Sequence, residues 1–207
     1  LLRSVKNRFG PTHEIALFEM LAEGLKEVKE PSAFFLSQRS VGSPGSVVTV
    51  TMKGTRPLLV EVQALTSPAG YGFSQRTSIG VDRNRTSLLI AVLEKLAGLS
   101  LGSNDIFVNV AGGVEIDEPA VDLAVAVAIG SSFRNRALAA ETVVCGELGL
   151  AGEVRTVSHL ESRIREAARM GFKKMLVPRS KALPSVAGMD VFPVAHVEEA
   201  LSEALGS

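Results

Sequence analysis

Tryptophan is absent from the 207 residues, and there is one tyrosine and one cysteine. A lone cysteine closes no disulfide within the chain. Cys145 sits in the apolar run Val143-Val144-Cys145 with no adjacent base to lower its pKa, which predicts a buried structural thiol in a reducing compartment. Net charge is lacking too: 22 Lys and Arg stand against 22 Asp and Glu. That excludes the simplest signature of a nucleic-acid binder, a strongly basic chain, but leaves room for a local basic face. No apolar run is long enough to cross a bilayer, the longest lying around Leu123 to Ile129. Arg3, Lys6 and Arg8 are followed by acidic residues, not by the apolar stretch of a signal peptide. These features predict a cytoplasmic protein with no membrane partner. A Gly-x-x-x-x-Gly-Lys-Ser/Thr phosphate loop and paired cysteines are also missing, so no nucleotide, magnesium or zinc site is expected. His13, His159 and His196 are too scattered to predict a metal site. The first residue is Leu, so the sequence is expected to be a piece of a longer protein.

What is present is a core. Apolar residues make up 46% of the chain, enough for a packed domain and too many for a disordered tail. Residues 1–45 read as an arm, with exposed cations and turn formers at Lys6 to Thr12, a short helix starting near Pro31-Ser32, and the flexible Val41 to Ser46 as linker. From residue 46 the pattern becomes regular. Ser46 to Met52 is β-branched and reads as a strand, and Lys53 to Pro57 turns it into a second, Leu58 to Leu65. Leu89, Val92, Leu93 and Leu96 follow helical spacing, with Thr86 or Ser87 as the expected cap and Gly98 at the end. Asp105 to Val110 is a strand, and Pro119 opens a small-residue helix over Ala120 to Ile129. Strands follow at Thr142 to Cys145 and Glu153 to Thr156, separated by a Gly-rich stretch. An amphipathic helix, led by Leu160, Ile164, Ala167 and Ala168, comes next. Strands at Met175 to Pro178 and Val191 to Val194 and a helix over Val197 to Leu205 complete the chain. Interleaved elements with two hairpin signals predict an α+β fold built on a mixed sheet.

Five colinear segments carry a resemblance. Lys6-Asn7-Arg8-Phe9-Gly10 looks like the hallmark motif of the bacterial RadA (Sms) family. Gly54 to Leu65, Asp105 to Gly113, Gly146 to Arg155 and Glu166 to Lys174 resemble that family's later signatures. The resemblance implies a modular parent with a four-cysteine zinc finger and a RecA-like ATPase, so ATP, magnesium and zinc belong to domains outside this sequence. It implies that residues 46–207 form a domain similar to the Lon peptidase domain, of the ribosomal-protein domain 2-like kind. Residues 1–45 would carry the Lys-Asn-Arg-Phe-Gly motif at the end of the motor.

Lon-type peptidases use a serine activated by a lysine, because an unassisted hydroxyl is a poor nucleophile. Their Asp-Gly-Pro-Ser-Ala-Gly run corresponds here to Asp117-Glu118-Pro119-Ala120-Val121-Asp122, which puts Ala120 at the serine position. Their Gly-Gly-Leu-Lys-Glu-Lys stretch corresponds to Ser158-His159-Leu160-Glu161-Ser162-Arg163, which puts Glu161 at the lysine position. A methyl group and a carboxylate make no Ser–Lys dyad, so no proteolysis is expected from this chain, and the alternative of a residual or peptide-binding serine-peptidase module is disfavoured. Glu118 and Asp122 are expected to act as carboxylates favoured by a helix N-terminus.

The remaining chemistry is cationic. By the resemblance, Lys6 and Arg8 of the motif, with Asn7, Phe9 and Gly10, lie at a subunit interface and act on a neighbour's nucleotide as an arginine finger does. Between Arg155 and Lys174, Arg155, Arg163, Arg165, Arg169, Lys173 and Lys174 outnumber Glu161 and Glu166, six against two, a local charge of +4. With Arg76, Arg83 and Arg85, the residues Arg155, Arg163, Arg165, Lys173 and Lys174 are the candidates for phosphate contact. With so few aromatics, phosphate contact is expected over base stacking. The resemblance implies a homo-oligomer, a hexameric ring, acting on single-stranded or branched DNA beside the recombinase RecA.

Overall fold

The computed structural model describes residues 2–3, 15–16, 18–70 and 74–206. In chain order the first elements are β1 (Leu2–Arg3), β2 (Ile15–Ala16), β3 (Phe18–Leu21), β4 (Gly24–Glu27) and α1 (Pro31–Leu36). Next come β5 (Ser46–Lys53), β6 (Arg56–Pro68), β7 (Arg76–Ile79), α2 (Arg83–Lys95) and β8 (Asn104–Val110), then α3 (Asp122–Arg134), β9 (Thr142–Val144), β10 (Glu147–Leu148) and β11 (Val154–Arg155). The chain closes with α4 (Leu160–Arg169), β12 (Lys174–Pro178), β13 (Asp190–Val194) and α5 (Val197–Leu205).

Seven strands form one mixed sheet in the order β13-β12-β9-β5-β6-β8-β7. The β5–β6 hairpin supplies its antiparallel centre, with Ser46 opposite Gln63 and Lys53 opposite Arg56. β8 continues antiparallel beside β6, while β9, β12 and β13 add parallel strands on the other side. The architecture is mixed α/β, and the hairpin expected at Lys53 to Pro57 is present. Side chains alternate across a strand, so the sheet feeds two cores. Val47, Val62, Val108 and Leu176 face α2, α3 and α5. Val48, Val50, Leu59, Val143 and Met175 face α4.

The small-residue character of α3 has a direct use. A Cβ on Gly130 would lie 2.5 Å from Leu201 Cδ2, so α5 rests on α3 where no side chain intervenes. Where α2 starts differs from the sequence expectation. Its cap is Asp82, whose Oδ1 accepts from Arg85 N at 2.7 Å, not Thr86 or Ser87, which fall inside the first turns. Strands β1 to β4, in the segment read as an arm, were not anticipated, nor were two later ones. β7 is a short polar edge strand, and β10 lies in the Gly-rich stretch, pairing with β11 as a separate ribbon.

The start of α4 retains an unusual backbone. His159 holds φ 55° and ψ 33°, the left-handed region, at a position where the peptidase pattern has glycine. An L-residue there costs about 1–2 kcal/mol. His159→Gly relieves that strain while loosening the unfolded chain, and should change stability by less than about 1 kcal/mol. His159→Val should lower it by about 1–2 kcal/mol, a β-branched residue being poorly suited to positive φ. Paired thermal unfolding curves check both.

Candidate functional site

The position that the sequence resemblance aligns with a peptidase nucleophile lies in a 3-10 turn, Pro119–Val121, which runs into α3. Ala120 is buried there, its methyl among Val48, Leu59, Cys145 and Ile164. Its carbonyl accepts from Gly146 N at 2.8 Å and from Cys145 Sγ at 3.4 Å. The site therefore has neither a hydroxyl nor open access at this atom. Burial pushes the Cys145 thiol up to about 12, so it stays protonated and takes the place of no nucleophile.

A cation does reach this turn, but it comes from residue 163 and not from residue 161. Arg163 is 0% exposed. Its Nε donates to Ser158 O at 2.9 Å and its Nη1 to Val50 O at 2.5 Å. The guanidinium closes on Glu118 as a fork, 3.0 Å to Oε1 and 2.5 Å to Oε2. Met52 N adds a third donor to Glu118, at 2.6 Å. Burial presses the Glu118 carboxyl upward, but the bonds from Arg163 and its other partners outweigh it and hold the group below its ordinary range. Glu161 stands on the outer side of α4, 56% exposed, paired with Arg165 at 2.5 Å.

The expectation that Arg163 contacts DNA is thereby corrected. A guanidinium with no exposed surface, spent on two carbonyls and a carboxylate, has no face left for a phosphate. The signal was present in the helical spacing. Leu160, Arg163, Ile164 and Ala167 make an i, i+3, i+4, i+7 set, and the arginine belongs to the inward stripe.

Asp122 forms a second tie at the same turn. Its side chain is 2% exposed. Arg85 reaches it from α2 with both prongs, Nε to Oδ1 at 2.5 Å and Nη2 to Oδ2, and Leu148 N donates to Oδ2 at 3.1 Å. The bond to Asp122 raises the Arg85 pKa further, so this cation is permanently charged. Burial pushes the Asp122 carboxyl up, with the Arg85 fork and the Leu148 amide working against it. Asp122 does stand in the first turn of α3, yet neither it nor Glu118 caps that helix by a side-chain hydrogen bond. Both serve as anchors for arginines and for amides of neighbouring segments. A cavity of about 190 Å³ beside this pair is lined by Val81, Asp82, Arg85, Leu89, Asp117 and Asp122.

Most other candidate cations are also engaged. Arg155 pairs with Glu153 and, at 3.9 Å, with Glu147. Lys174 pairs with Glu203 at 2.5 Å and lies 4.4 Å from the Phe192 ring centroid. These partners come from outside the window that suggested a charge of +4, which is why a local count overstates the field. Among the described residues Arg83 and Lys173 are exposed and form no ion pair, and Arg76, on edge strand β7, has a buried Nη1 without a partner. Lys6, Asn7, Arg8, Phe9 and Gly10 lie outside the described residues, as does His13. Among the described residues no group of three or more His, Cys, Asp or Glu side chains is placed to hold a metal ion.

This arrangement, a mixed sheet whose turn before α3 is locked by two arginines, can be set beside known proteins. A family model described as subunit ChlI of Mg-chelatase matches residues 75–181, just over half of the chain. The chain belongs to that family. Curated relatives then narrow the comparison to one kind of protein. DNA repair protein RadA of Bacillus subtilis is 51% identical over 208 residues, covering 100% of this chain and 45% of that protein. Its namesake in Synechocystis is 49% identical over 205 residues, 99% of this chain and 41% of that protein. The one in Streptococcus pneumoniae is 54% identical over 180 residues, 87% of this chain and 43% of that protein. The RadA resemblance seen in five segments thus holds along the whole sequence. The chain spans less than half the length of the curated relatives it matches.

Proposed function

We propose that the chain is a Lon-peptidase-like domain that has lost proteolysis and serves as a scaffold in a RadA-type DNA-dependent ATPase of recombinational DNA repair. Residues 46–207 are that domain, and residues 1–45 carry the Lys-Asn-Arg-Phe-Gly motif at the end of a RecA-like motor that this sequence does not include. The domain helps to close a hexameric ring, contacts single-stranded or branched DNA, and works beside the recombinase RecA. In the ring, Lys6 and Arg8 reach the neighbouring subunit's nucleotide. ATP with magnesium, and zinc, are held by the rest of the parent.

One observation carries the non-proteolytic part: where a peptidase needs a serine beside a free base, this chain has buried Ala120 beside Arg163, which is already committed to Glu118, Val50 and Ser158. An arginine stays protonated at all accessible pH values, so it withdraws no proton from a hydroxyl. The DNA part is supported by the names of the relatives and by the unpaired Arg83 and Lys173.

The test has two arms. Ala120→Ser should hydrolyse neither casein nor a fluorogenic peptide above background; turnover above background would restore the peptidase reading. In a low-salt titration with single-stranded DNA, the unaltered chain should bind, and an Arg76→Ala, Arg83→Ala, Lys173→Ala variant should bind at least about tenfold more weakly with a shallower salt dependence. Equal affinity of the two would exclude these three cations from DNA contact.

A further inference from the structure

The short helix α1 is held in place by neighbours rather than by itself. At six residues, Pro31–Leu36, it is far below the length at which a helix persists alone in water. Its docking site is an open stretch of sheet edge. β8 ends at Val110, opposite Val62, so β6 from Arg56 to Glu61 has no strand neighbour on that side. Ser32 fills the gap. Its hydroxyl accepts from Leu59 N at 3.2 Å and donates to Glu166 Oε1 on α4 at 2.6 Å, so one buried side chain joins α1, β6 and α4. Arg169, also on α4, spans from Glu166 (2.8 and 3.0 Å) to Glu30 (2.7 Å), just ahead of α1. Phe35 lies against Gly112, where a Cβ would come within 2.7 Å of the ring. Beyond α1, residues 37–45 run Ser-Gln-Arg-Ser-Val-Gly-Ser-Pro-Gly, a tether without regular structure before β5.

We propose that α1 is a releasable strap, latched by Ser32 between the β6 edge and α4, that detaches and melts as a unit while the seven-stranded sheet stays folded. Helix formation and docking are then a single two-state event, since neither half of it is stable without the other. The latch is one junction through which residues 18–29 are held to the sheet, beside the bond from Arg56 to Lys29 O. When α1 is docked, Glu30 is fixed relative to α4 by Arg169. When it is released, the chain is next held at Arg39, bonded to Ala140 O, and at Gly45, bonded to Ser131 and Ala64, so the segment ahead of them gains freedom. The strap is a local element, because its polar contacts are to β6 and α4 and its Phe35 and Leu36 pack against the two smaller apolar clusters, not the main core around α3.

Hydrogen exchange by mass spectrometry on the 207-residue protein tests this. Two amides report on the strap, Phe34 N, bonded to Glu30 O, and Leu59 N, bonded to Ser32. In Ser32→Ala both should exchange about tenfold faster, in line with the loss of one buried hydrogen bond, while amides of α3 and β5 keep their protection. Glu166→Gln, which keeps an acceptor for the Ser32 hydroxyl, should give a smaller rise at the same two amides. A parallel fall in protection at α1 and α3 would make α1 part of the global fold and overturn the proposal. Unchanged exchange at Phe34 and Leu59 in Ser32→Ala would overturn it too, by removing Ser32 as the latch.

Discussion

Arg163→Ala is expected to lower the free energy of unfolding by about 3–5 kcal/mol, the range seen when one partner of a buried ion pair is removed. Three groups lose a donor at once: the carbonyls of Val50 and Ser158, and the carboxylate of Glu118, which keeps the Met52 amide. Each buried acceptor left unpaired is costly in its own right, and the truncation opens a cavity under α4. Set against the 5–15 kcal/mol that holds a typical domain together, this removes between about a fifth and all of the folding stability. Urea denaturation followed by far-UV circular dichroism measures it. Glu118→Gln should cost less, because the amide still accepts from Arg163, and the double variant Arg163→Ala, Glu118→Gln should be less destabilised than the two single losses summed. The effect also has a direction in pH. Glu118 is held below its ordinary value in the folded chain, so its pairing contributes stability at neutral pH, and that contribution disappears as pH falls through the lowered value. The difference between wild type and Arg163→Ala should therefore narrow in acid. A variant less than about 1 kcal/mol below wild type at neutral pH would mean that the pair contributes no more than an exposed one.

Gly45→Ala should have an effect of similar size by a different route. Gly45 sits at φ +83° just before β5, and a Cβ there would stand 2.1 Å from the carbonyl oxygen of Ala64. That oxygen belongs to the β6 backbone, so it has no flexible end to swing aside. The same residue donates from its N to Ser131 Oγ at 2.8 Å and accepts at its O from Ala64 N at 2.9 Å, so any shift of the loop breaks bonds to both α3 and β6. A left-handed L-residue costs about 1–2 kcal/mol and forced overpacking about 1–3 more, giving an expected loss of about 2–5 kcal/mol. Gly42→Ala is the control: φ is +77° but nothing lies within 4 Å of the added carbon, so only the backbone share of about 1–2 kcal/mol should appear. Equal losses at the two positions would show that the clash with Ala64 is relieved at no cost.

How much of this was legible beforehand depended on which interaction dominated each segment. Strands such as β5 and β8 are β-branched or alternating, and the burial that selects those residues also fixes the elements, so Ser46 to Met52 and Asp105 to Val110 were readable nearly to the residue. β7 was not, because an edge strand of Arg-Thr-Ser-Ile is held by backbone pairing to β8 and carries little apolar signal. β10 hid in a Gly-rich stretch for the same reason, its position being set by Asp122 and by its partner β11. At the candidate site, the resemblance to the peptidase pattern drew attention to Ala120 and Glu161. It did not locate Glu118 and Arg163, the pair that occupies the turn instead, because an ion pair 45 residues apart in sequence is a tertiary fact. The pairing of individual surface cations was beyond the sequence for a similar reason. Glu203, which neutralises Lys174, comes from the last helix.

The two anchored carboxylates at the turn before α3 have a mechanical side. Glu118 is gripped by an arginine from α4, on one face of the sheet, and Asp122 by an arginine from α2, on the other. The five residues from 118 to 122 thus behave like a rivet driven through the layers, its two heads clamped from opposite sides. A displacement of α4 that keeps its grip on Glu118 must pull this short turn along, and Asp122 passes the pull to the first turn of α2. Between the two heads, Ala120 and Val121 are buried in the apolar clusters, so charge and packing hold the same five residues.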